Sequence, residues 1–576
     1  MANIDWRNWG ESAFEEAAQS GKPVLLAISA VWCHWCHVMD QRTYAEPRVI
    51  ETINKHFIPI RADADREPDI NIRYNMGGWP STVFLTADRD VLTGSTYMPP
   101  DQMLIVLERV SSAYAEQVDE LKDRAKQARI DTEEVFKSAG GGASRAEDVE
   151  KALNLLRSSY DPENGGFGSS QKFPHTSALE FLLHSYESGG DERDLRMVVD
   201  TLDAMLDGEM FDRVEGGVYR YATKPDWTAP HTEKLLADNA RMATLMLDAY
   251  RVADNERYIE TARSLFDYME KNLMDEQTGL FYGSQDAGEE YYSADEQGRA
   301  SLNPPRVDDA FYTDSNAILA RAYLKFYGVG RVIGARDKAL RIVGQLNHLG
   351  RSQCGCVPHY VEGGAAYSHG ILSDAAELVL ANAVCAEATG DDSYIRAAKE
   401  LLEAVFEAFG SDKGAFFDVS EVRAELRGLT RYSTPLEENA ALAMAFIKLA
   451  DLTEDEAYRL SARKVLDALA GQFENYGIMG ASYASALALL NSMPLLVTIH
   501  ADAGTEEADA FIQASLGACG ANCTIRTVPS EGQEAAASVC LGSVCRTRVT
   551  DPEELAQSLG EVTAESMAES AFEPVE

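Results

Sequence analysis

The chain has 576 residues, 45% hydrophobic and 9% aromatic, a composition that excludes a disordered or fibrous protein. This length is too great for one compact core and predicts two or three domains. Asp and Glu number 93 against 52 Lys and Arg, giving a net charge of −41. Such a charge repels phosphates, so we expect no nucleic-acid partner.

The acidic residues run along the whole chain, and only 16 of the 52 basic residues are lysines. A lysine-poor acidic surface keeps a protein soluble in concentrated salt, where long-range repulsion is screened. We therefore expect a halophilic protein, with a merely acidic protein as the alternative. The N-terminal residues lack an apolar signal core, and no window approaches the ~20 apolar residues of a membrane span. These features predict a cytoplasmic location and no membrane partner.

Residues 1–137 alternate strand and helix patterns and predict an α/β domain. Short apolar runs predict strands at 23–29, 57–63, 81–88 and 91–98. A helical stretch from 102 to about 137 follows the last strand. The glycine-rich segment 138–148 then has the composition of a linker.

Two cysteines and two histidines stand together in CHWCH, Cys33 to His37, directly after the first predicted strand. A strand followed by C-x-x-C at the start of a helix is the thioredoxin arrangement. Exposed N–H groups and the positive end of the helix dipole favour the thiolate there. The spacing lets the second cysteine resolve a mixed disulfide. Cys33 is the predicted nucleophile and Cys36 the predicted resolving thiol.

Three neighbouring residues are predicted to support this redox site. His34 lies between the cysteines and would stabilise the thiolate when protonated, and Trp35 lies beside it. Pro80 follows Gly-Trp just before the third predicted strand. Thioredoxin folds place a cis-proline there, facing the cysteines, and cis peptides are largely a proline property.

Other interpretations of CHWCH stay open. C-x-x-C-H is also the pattern of c-type haem attachment. Cys33, Cys36 and His37 could bind zinc with one distant ligand, or the thiols could simply be packed without turnover. We expect no metal and no cofactor. The remaining cysteines, at 354, 356, 385, 519, 523, 540 and 545, are predicted to be buried or incidental thiols.

From 149 to 491, long amphipathic helices alternate with glycine-rich turns in a recurring unit. The six turns are NGGFG, EGGVY, TGLFY, CGCVP, KGAFF and YGIMG. Most precede a helix with Asn or Ser beside Ala near its start. Six helical hairpins predict a closed, all-α (α/α)6 toroid, with an open solenoid as the alternative. Residues 492–576 return to short strands and helices and predict a small α/β appendage.

Polar and aromatic side chains concentrate near the start of the toroid's second inner helix and recur at later ones. These candidate toroid-site residues are Tyr219, Arg220, Trp227, His231, Glu233, Lys234, Asp238, Asp314, Asp374 and Glu438. Carboxylates, a histidine and aromatic rings are what sugar chemistry requires. Pro230 predicts a helix that begins near His231. The alternative is that the repeated Asp and Asn residues cap the inner helices and tie the hairpins together.

Several blocks together resemble one family. The first is GKPVLLAISAVWCHWCHVMDQRTY with GGWPSTVFLT, and the second is GGVYRYATKPDWTAPHTEKLLADNARM. Further blocks are VDDAFYTDSNAIL and SVCLGSVCRTRVTDPEEL. Their pattern is similar to the spermatogenesis-associated protein family from about Trp6 to Leu559. Thr232 and Ala237 stand where that family has bulkier aromatic residues.

The resemblance implies a multidomain fold. It consists of a thioredoxin-like domain, a six-hairpin toroid similar to sugar epimerases and glycosidases, and a small C-terminal α/β part. The leading hypothesis is a thiol–disulfide oxidoreductase, with a protein or small-molecule disulfide as substrate and the toroid presenting it. The second is a sugar isomerase, epimerase or binder that takes carbohydrate in the toroid cavity. The third is a non-enzymatic interaction scaffold.

Overall fold

The structure, a computed structural model, describes residues 3–139, 141–546 and 548–570. Gly140 of the predicted linker and the last six residues of the predicted C-terminal part lie outside the described residues. The chain forms two compact units. The first is Met1–Ala139 together with Tyr367–Ile371 and Phe417–Ser433, and the second is the remainder. The C-terminal α/β segment thus shares a unit with the toroid, and two short segments from within the predicted toroid belong to the first unit.

The first unit is built on a four-stranded sheet with strand order β2-β1-β3-β4. The strands are β1 (Val24–Ser29), β2 (Ile58–Asp63), β3 (Ser81–Leu85) and β4 (Val91–Ser95). β1 runs parallel to β2 and antiparallel to β3, and β3 is antiparallel to β4. Burial of nearly every side chain of β1 and β3 explains their continuous apolar runs. This arrangement confirms the predicted thioredoxin-like α/β fold.

Seven helices accompany that sheet. They are α1 (Glu11–Ser20), α2 (His34–Arg42), α3 (Pro47–His56), α4 (Pro68–Tyr74), α5 (Pro100–Glu116), α6 (Val118–Ala139) and, from the late segment, α18 (Glu421–Arg427). The single helix predicted from 102 to 137 is two helices, α5 and α6, separated at Gln117.

Buried ion pairs join α4 to the late segment of the same unit. Asp69 accepts two hydrogen bonds of 2.9 Å from the Arg423 guanidinium, and Arg73 pairs with Asp418 at 2.5 Å. Both pairs are almost completely buried, so neither partner can be lost without leaving an uncompensated charge. This nonlocal pairing explains why 417–433 belongs with the first unit.

The second unit contains a double ring of helices. The outer helices are α7 (Ala146–Ser159), α9 (Glu192–Asp207), α11 (Glu256–Asn272), α15 (Ile333–His348), α17 (Asp392–Phe409) and α20 (Glu456–Leu469). The inner helices are α8 (Thr176–Gly189), α10 (Leu236–Ala253), α14 (Thr313–Gly328), α16 (Leu372–Thr389), α19 (Leu436–Thr453) and α21 (Ala481–Asn491). A 3₁₀ segment, Phe473–Gly480, precedes α21.

The ring is closed. Each inner helix contacts the next one along the chain, and α21 contacts α8. Each inner helix also contacts an outer helix, with α7 against α21 completing the set. The inner helix α16 is buried on nearly all sides, whereas α17 buries one face and exposes the other, as expected for inner and outer positions. The (α/α)6 toroid is confirmed, and the open solenoid is excluded.

A recurring tight turn explains the glycine motifs. In three of these turns the aspartate N–H donates to the carbonyl five residues on, and a glycine N–H returns to the aspartate carbonyl. Asp161 with Gly165, Asp212 with Gly216 and Asp275 with Gly279 show this pattern at 2.7–3.0 Å. These glycines have φ near +75°, a conformation that side chains disfavour. The turns therefore require glycine at that position.

Asparagines at the inner-helix starts fasten these turns. Asn239, Asn316 and Asn439 each accept the backbone N–H of the residue after the turn, at 2.7–2.8 Å. Each also donates to the carbonyl four residues before it. Thus the alternative interpretation is correct for the asparagines: they tie the hairpins together.

Short strands and two one-turn helices occupy the connections that lead into the inner helices. They are β5 (Tyr221–Ala222), β6 (Pro230–His231), β7 (Lys234–Leu235), β8 (Ser284–Gln285), α12 (Glu289–Tyr292), α13 (Glu296–Arg299), β9 (Ala310–Tyr312), β10 (Tyr360–Glu362) and β11 (Ala365–Tyr367). The helix start predicted at Pro230 is wrong. Pro230 and His231 pair with β5 in an antiparallel hairpin, and α10 begins only at Leu236.

The C-terminal segment has a sheet of the same topology as the first unit. Its elements are β12 (Leu495–His500), α22 (Glu506–Ala518), β13 (Cys523–Val528), β14 (Ala536–Leu541), β15 (Val544–Cys545) and α23 (Pro552–Ser570). The order is β13-β12-β14-β15. Only the first pair is parallel, as in β2-β1-β3-β4. The small α/β part is confirmed, and its sheet repeats the thioredoxin-like order.

Two cysteine pairs in this segment are disulfide-bonded, Cys519 with Cys523 and Cys540 with Cys545. The prediction of unpaired thiols at these positions is therefore wrong. The reason is that β14 and β15 align Cys540 opposite Cys545 in antiparallel register, a pairing that spacing alone does not indicate. Cys519 and Cys523 flank the short turn between α22 and β13.

Candidate functional site

The C-x-x-C segment lies at the junction of β1 and α2. Cys33 is the N-cap of α2, and its Sγ accepts the backbone N–H of Cys36 at 3.2 Å. The two sulfurs are joined in a disulfide. Cys33 Sγ therefore lies where helix N–H groups and the helix dipole stabilise a thiolate.

Aromatic side chains surround this pair. Trp32 is buried, donates its indole N–H to Asp65 at 2.5 Å, and packs edge-on against Trp79 with ring centroids 5.7 Å apart. The Trp79 indole in turn donates to Asn71 at 3.0 Å. These hydrogen bonds satisfy both indoles and hold the walls of the site in place.

The third predicted supporting residue, Pro80, has a cis peptide bond with Trp79 and is buried at the start of β3. Because β3 is paired directly with β1, the two loops that carry Pro80 and Cys33 leave adjacent strands. The predicted cis isomer is confirmed, and its position on the strand next to β1 is that of a thioredoxin-like site.

Exposure differs sharply across the site. Cys33 and Cys36 are only 4% and 3% exposed, while Trp35 is 42% exposed and packs against Tyr97. His34 is half-buried, and its ring contacts Trp35 edge-on at 5.6 Å. Trp35 is thus the most exposed residue of the motif.

Lys234 and Tyr219 occupy a buried polar cluster in the toroid. Lys234 is fully buried, and its Nζ donates to Asp212 and to the Gly216 carbonyl, both at 2.7 Å. Burial lowers the pKa of Lys234 to about 8, although Asp212 opposes this effect. Tyr219 is buried with its ring 5.2 Å from Nζ. The Lys234 side chain thus holds the glycine turn, and Tyr219 packs beside its Nζ.

The same arrangement recurs at Lys172, which was not singled out from the sequence. Its Nζ donates to Asp161 and to the carbonyls of Gly165 and Gly168, each at 2.8 Å. Two buried lysines with equivalent partners in consecutive turns indicate a repeated structural role and not a catalytic one.

Trp227 does not face a cavity. It is completely buried, and its indole donates to the Asn164 carbonyl at 2.9 Å. A Cβ placed on Gly166 would lie 2.5 Å from the indole, so the ring fills the space that this glycine leaves. The prediction that Trp227 stacks on a sugar ring is wrong because no face of the ring is accessible.

His231 and Glu233 do lie together. The His231 Nδ1 is 3.8 Å from Glu233 Oε1, and the imidazole stacks on Tyr221 at 4.7 Å. The backbone of Arg220 donates to the His231 carbonyl at 3.3 Å. Glu233 is buried and His231 half-buried, so this pair combines an imidazole and a carboxylate at the hairpin β5–β6.

Asp314 and Asp374 meet a histidine that the sequence analysis missed. The His359 Nδ1 lies 2.9 and 3.0 Å from the two Asp374 carboxylate oxygens. Asp374 also accepts the Asp314 N–H at 3.3 Å. Burial raises the pKa of Asp374 to about 6, against the lowering effect of His359. His359 directly follows the CGCVP turn, and its carbonyl accepts the Thr313 N–H at 2.9 Å beside the β9–β10 pairing, next to Asp314.

Asp238 and Glu438 lie in the first turns of α10 and α19, as do Asp314 and Asp374 in α14 and α16. No side-chain cap is formed at the described N-caps of α10, α14 and α19. Asp314 and Asp374 do accept first-turn N–H groups of α14: Asp374 accepts that of Asp314, and Asp314 accepts that of Ser315. Burial raises the pKa of Asp238, opposed by Arg220 and Arg241.

The inner helices enclose a cavity of about 320 Å³. Five cations line it, and each pairs with a carboxylate: Arg241 with Glu437, Arg321 with Glu377, Lys325 with Asp248, Arg251 with Glu187 and Lys448 with Glu387. A sixth lining carboxylate is Glu180. Burial raises the pKa of Glu180 to about 7, with Asp248 adding to the rise and Arg241 opposing it. None of these lumen residues was singled out from the sequence.

Family models match both the thioredoxin-like part and the toroid part of this chain. Residues 1–132 match the family model Thioredox_DsbH, described as a protein of unknown function, DUF255. The N-terminal domain is thus similar to this family. Residues 146–302, which form the first part of the toroid, match the family model Glycosyl Hydrolase Family 88.

Relatives confirm the resemblance to the spermatogenesis-associated proteins. Spermatogenesis-associated protein 20 of Mus musculus is 30% identical over 309 residues, which cover 49% of this chain and 39% of that protein. The chain spans about two fifths of the length of the curated relatives it matches. The thiol:disulfide interchange protein DsbD of Campylobacter jejuni is 24% identical over 110 residues, 18% of this chain and 19% of that protein.

Among solved structures, a D-mannose isomerase has a TM-score of 0.48 at 13% identity, covering 59% of this chain and 96% of the isomerase. The closure of the toroid does not depend on this likeness, because it follows from the helix contacts. Among the described residues, the helices are all too short or too polar to span a lipid bilayer.

Proposed function

We propose that the protein is a thiol–disulfide oxidoreductase in which Cys33 is the nucleophile and Cys36 the resolving thiol. The observation that carries the proposal is the position of Cys33 at the α2 N-terminus, with its Sγ accepting the Cys36 N–H and bonded to Cys36. His34 and Trp35 would contact the substrate, and Pro80 supports the loop beside it.

The reaction follows from this geometry. The Cys33 thiolate attacks one sulfur of a substrate disulfide, and the other substrate sulfur leaves as a thiolate that takes a proton. The Cys36 thiol, deprotonated, then attacks the Cys33 sulfur and releases the second substrate thiol. The substrate disulfide is reduced while the Cys33–Cys36 dithiol is oxidised to the disulfide. An external dithiol restores the reduced pair.

A disulfide-reduction assay with dithiothreitol as electron source tests this function. We expect Cys33→Ser to reduce turnover of a disulfide-bonded peptide by about 100-fold or more, because the nucleophile is lost. The control is Cys385→Ala, which removes a thiol buried in α16 and should leave turnover unchanged. Equal activity of wild type and Cys33→Ser would refute the oxidoreductase and favour an interaction scaffold.

A second candidate function, binding or isomerisation of a small carbohydrate, is favoured by the lumen. Its volume of about 320 Å³ is at the small end for ligand sites. Glu180, with its pKa raised to about 7 by burial, can give or take a proton near neutral pH. Arg241 and Arg321 lie in the same lining and can donate to hydroxyl groups.

A thermal-shift screen with monosaccharides and disaccharides tests the carbohydrate candidate. Saturating ligand should raise the unfolding temperature of wild type but not of Glu180→Gln if the lumen binds sugar. The control Glu260→Gln changes an exposed carboxylate on α11 and should keep the wild-type response. No shift with any sugar in wild type would count against this function.

A further inference from the structure

We propose that Cys354 and Cys356 form a second thiol–disulfide exchange site, which takes small-molecule disulfides of the glutathione class. The pair lies in the turn between α15 and β10 of the second unit. This pair is separate from Cys33 and Cys36, so it can exchange disulfides whether or not the N-terminal pair turns over.

The two sulfurs are already adjacent. Cys354 Sγ and Cys356 Sγ are 2.6 Å apart, and they are not joined in a disulfide. A disulfide bond needs a separation of about 2.0 Å. Forming the bond therefore needs only a small shift of the two side chains.

The backbone of the turn holds the two side chains on one side. The Gly355 N–H donates to the Ser352 carbonyl at 2.9 Å, and the Ser352 N–H donates to the Cys356 carbonyl at 3.0 Å. Gly355 has φ +73°, and a Cβ on it would lie 3.1 Å from the Ala404 Cβ. The glycine thus permits a one-residue reversal against α17 that brings the flanking cysteines together.

The environment of Cys354 favours its thiolate. Burial alone would raise the pKa of Cys354, but hydrogen bonds from Cys356, Ser352 and the backbone outweigh it and lower the pKa. The Ser352 hydroxyl lies 3.0 Å from Cys354 Sγ. A stabilised thiolate is the form that attacks disulfides.

Exposure assigns the two roles. Cys354 is half-buried at the surface of the turn, whereas Cys356 is only 4% exposed. Cys354 is the more exposed of the two and has the lowered pKa, so it is the attacking thiol, and Cys356 beside it is the resolving thiol. Cys385 provides the contrast within the same chain, since it is fully buried and burial raises the pKa of its thiol.

The exchange is balanced. The Cys354 thiolate attacks oxidised glutathione, forms a mixed disulfide and releases one glutathione thiolate, which takes a proton. Cys356 then loses its proton and attacks the Cys354 sulfur, and the second glutathione leaves. Two protein thiols become one disulfide, and one glutathione disulfide becomes two thiols. Excess reduced glutathione reverses both steps.

Alkylation followed by mass spectrometry tests the proposal on the full chain. Trypsin releases residues 352–396 as one peptide that contains Cys354, Cys356 and Cys385, so Cys385 is an internal reference. As the ratio of oxidised to reduced glutathione rises, Cys354 and Cys356 should lose their labels together and the peptide should lose two hydrogens. Labelling of Cys385 after unfolding should stay constant. Full labelling of Cys354 and Cys356 in oxidised glutathione would overturn the site.

Two single variants test the assignment of roles. Cys356→Ser should leave Cys354 as a stable mixed disulfide with glutathione, because no resolving thiol remains. Cys354→Ser should give about tenfold less adduct at Cys356, which solvent barely reaches. Equal adducts would overturn the assignment. If a variant fails to fold, as judged by circular dichroism, the wild-type titration alone decides.

Discussion

At the residue scale, the sequence reveals the thioredoxin-like site better than it reveals the candidate toroid site. Cys33, Cys36 and Pro80 were placed correctly because strand, helix start and cis-proline are local features. Trp227 and Lys234 were chosen as site residues because polar and aromatic residues cluster in this part of the sequence. In the structure both are buried, Trp227 against Gly166 and Lys234 against Gly217. His359 was missed because a sheet pairing brings it to Asp374.

The carboxyl of Glu180 gives a pH-dependent prediction. Its pKa is about 7 when folded, raised by burial, against 4.5 when exposed. The folded chain keeps this proton as the unfolded chain loses it, so stability falls as pH rises from about 4.5 to 7. Glu180→Gln removes this loss and should stabilise the toroid by roughly 1–3 kcal/mol at pH 8, with a smaller gain at pH 5.

Thermal unfolding of wild type and Glu180→Gln at pH 5 and pH 8 checks this prediction. The matched variant Glu260→Gln, at an exposed carboxylate on α11, should show the same difference in unfolding temperature between pH 5 and pH 8 as wild type. A Glu180→Gln gain that is equal at both pH values would mean that the carboxyl does not titrate in this window.

At the element scale, the hairpins and turns of the toroid were predicted well, since each turn carries glycine and three of the inner helices, α10, α14 and α19, carry Asn-Ala near their start. The late segment 417–433 was not predicted in the first unit, because its ion pairs with α4 join residues about 350 positions apart. The sheet order of β12 to β15 was likewise beyond prediction, since strand order depends on nonlocal pairing.

The asparagines that fasten three of the turns give the second prediction. Asn316 accepts the Phe281 N–H at 2.8 Å and donates to the Phe281 and Tyr312 carbonyls at 2.9 Å. Asn316→Ala leaves these buried groups unpaired and should cost about 2–4 kcal/mol. Denaturant unfolding measures the loss. Asn154→Ala, at an exposed position on α7, should cost less than about 0.5 kcal/mol, and an equal cost for both would contradict the fastening role.

At the scale of the whole molecule, the acidic balance predicts how stability responds to salt. With a net charge of −41, self-repulsion destabilises the folded chain at low ionic strength. Raising KCl from about 0.1 M to 2 M shortens the screening length to a few ångströms. We expect the unfolding temperature to rise by about 5 °C or more in differential scanning calorimetry. A fall over this range would contradict a salt-adapted surface.

The whole chain combines a thioredoxin-like site, a closed toroid with a charged lumen, and a C-terminal sheet that repeats the first sheet's order without a C-x-x-C motif. Sequence patterns predicted these three folds and the closure of the ring. They did not reveal the lumen's ion pairs, because each pair joins side chains from two different inner helices.

Trapping of a substrate on Cys33 tests the central proposal most directly. Cys36→Ser keeps the nucleophile and removes the thiol that resolves the mixed disulfide. After exposure to a disulfide-bonded peptide, mass spectrometry should find that peptide covalently attached to Cys33 in Cys36→Ser. The double variant Cys33→Ser with Cys36→Ser should carry no adduct in the tryptic peptide that contains these positions. An absence of adduct on Cys33 in Cys36→Ser would contradict the assignment of Cys33 as a redox nucleophile.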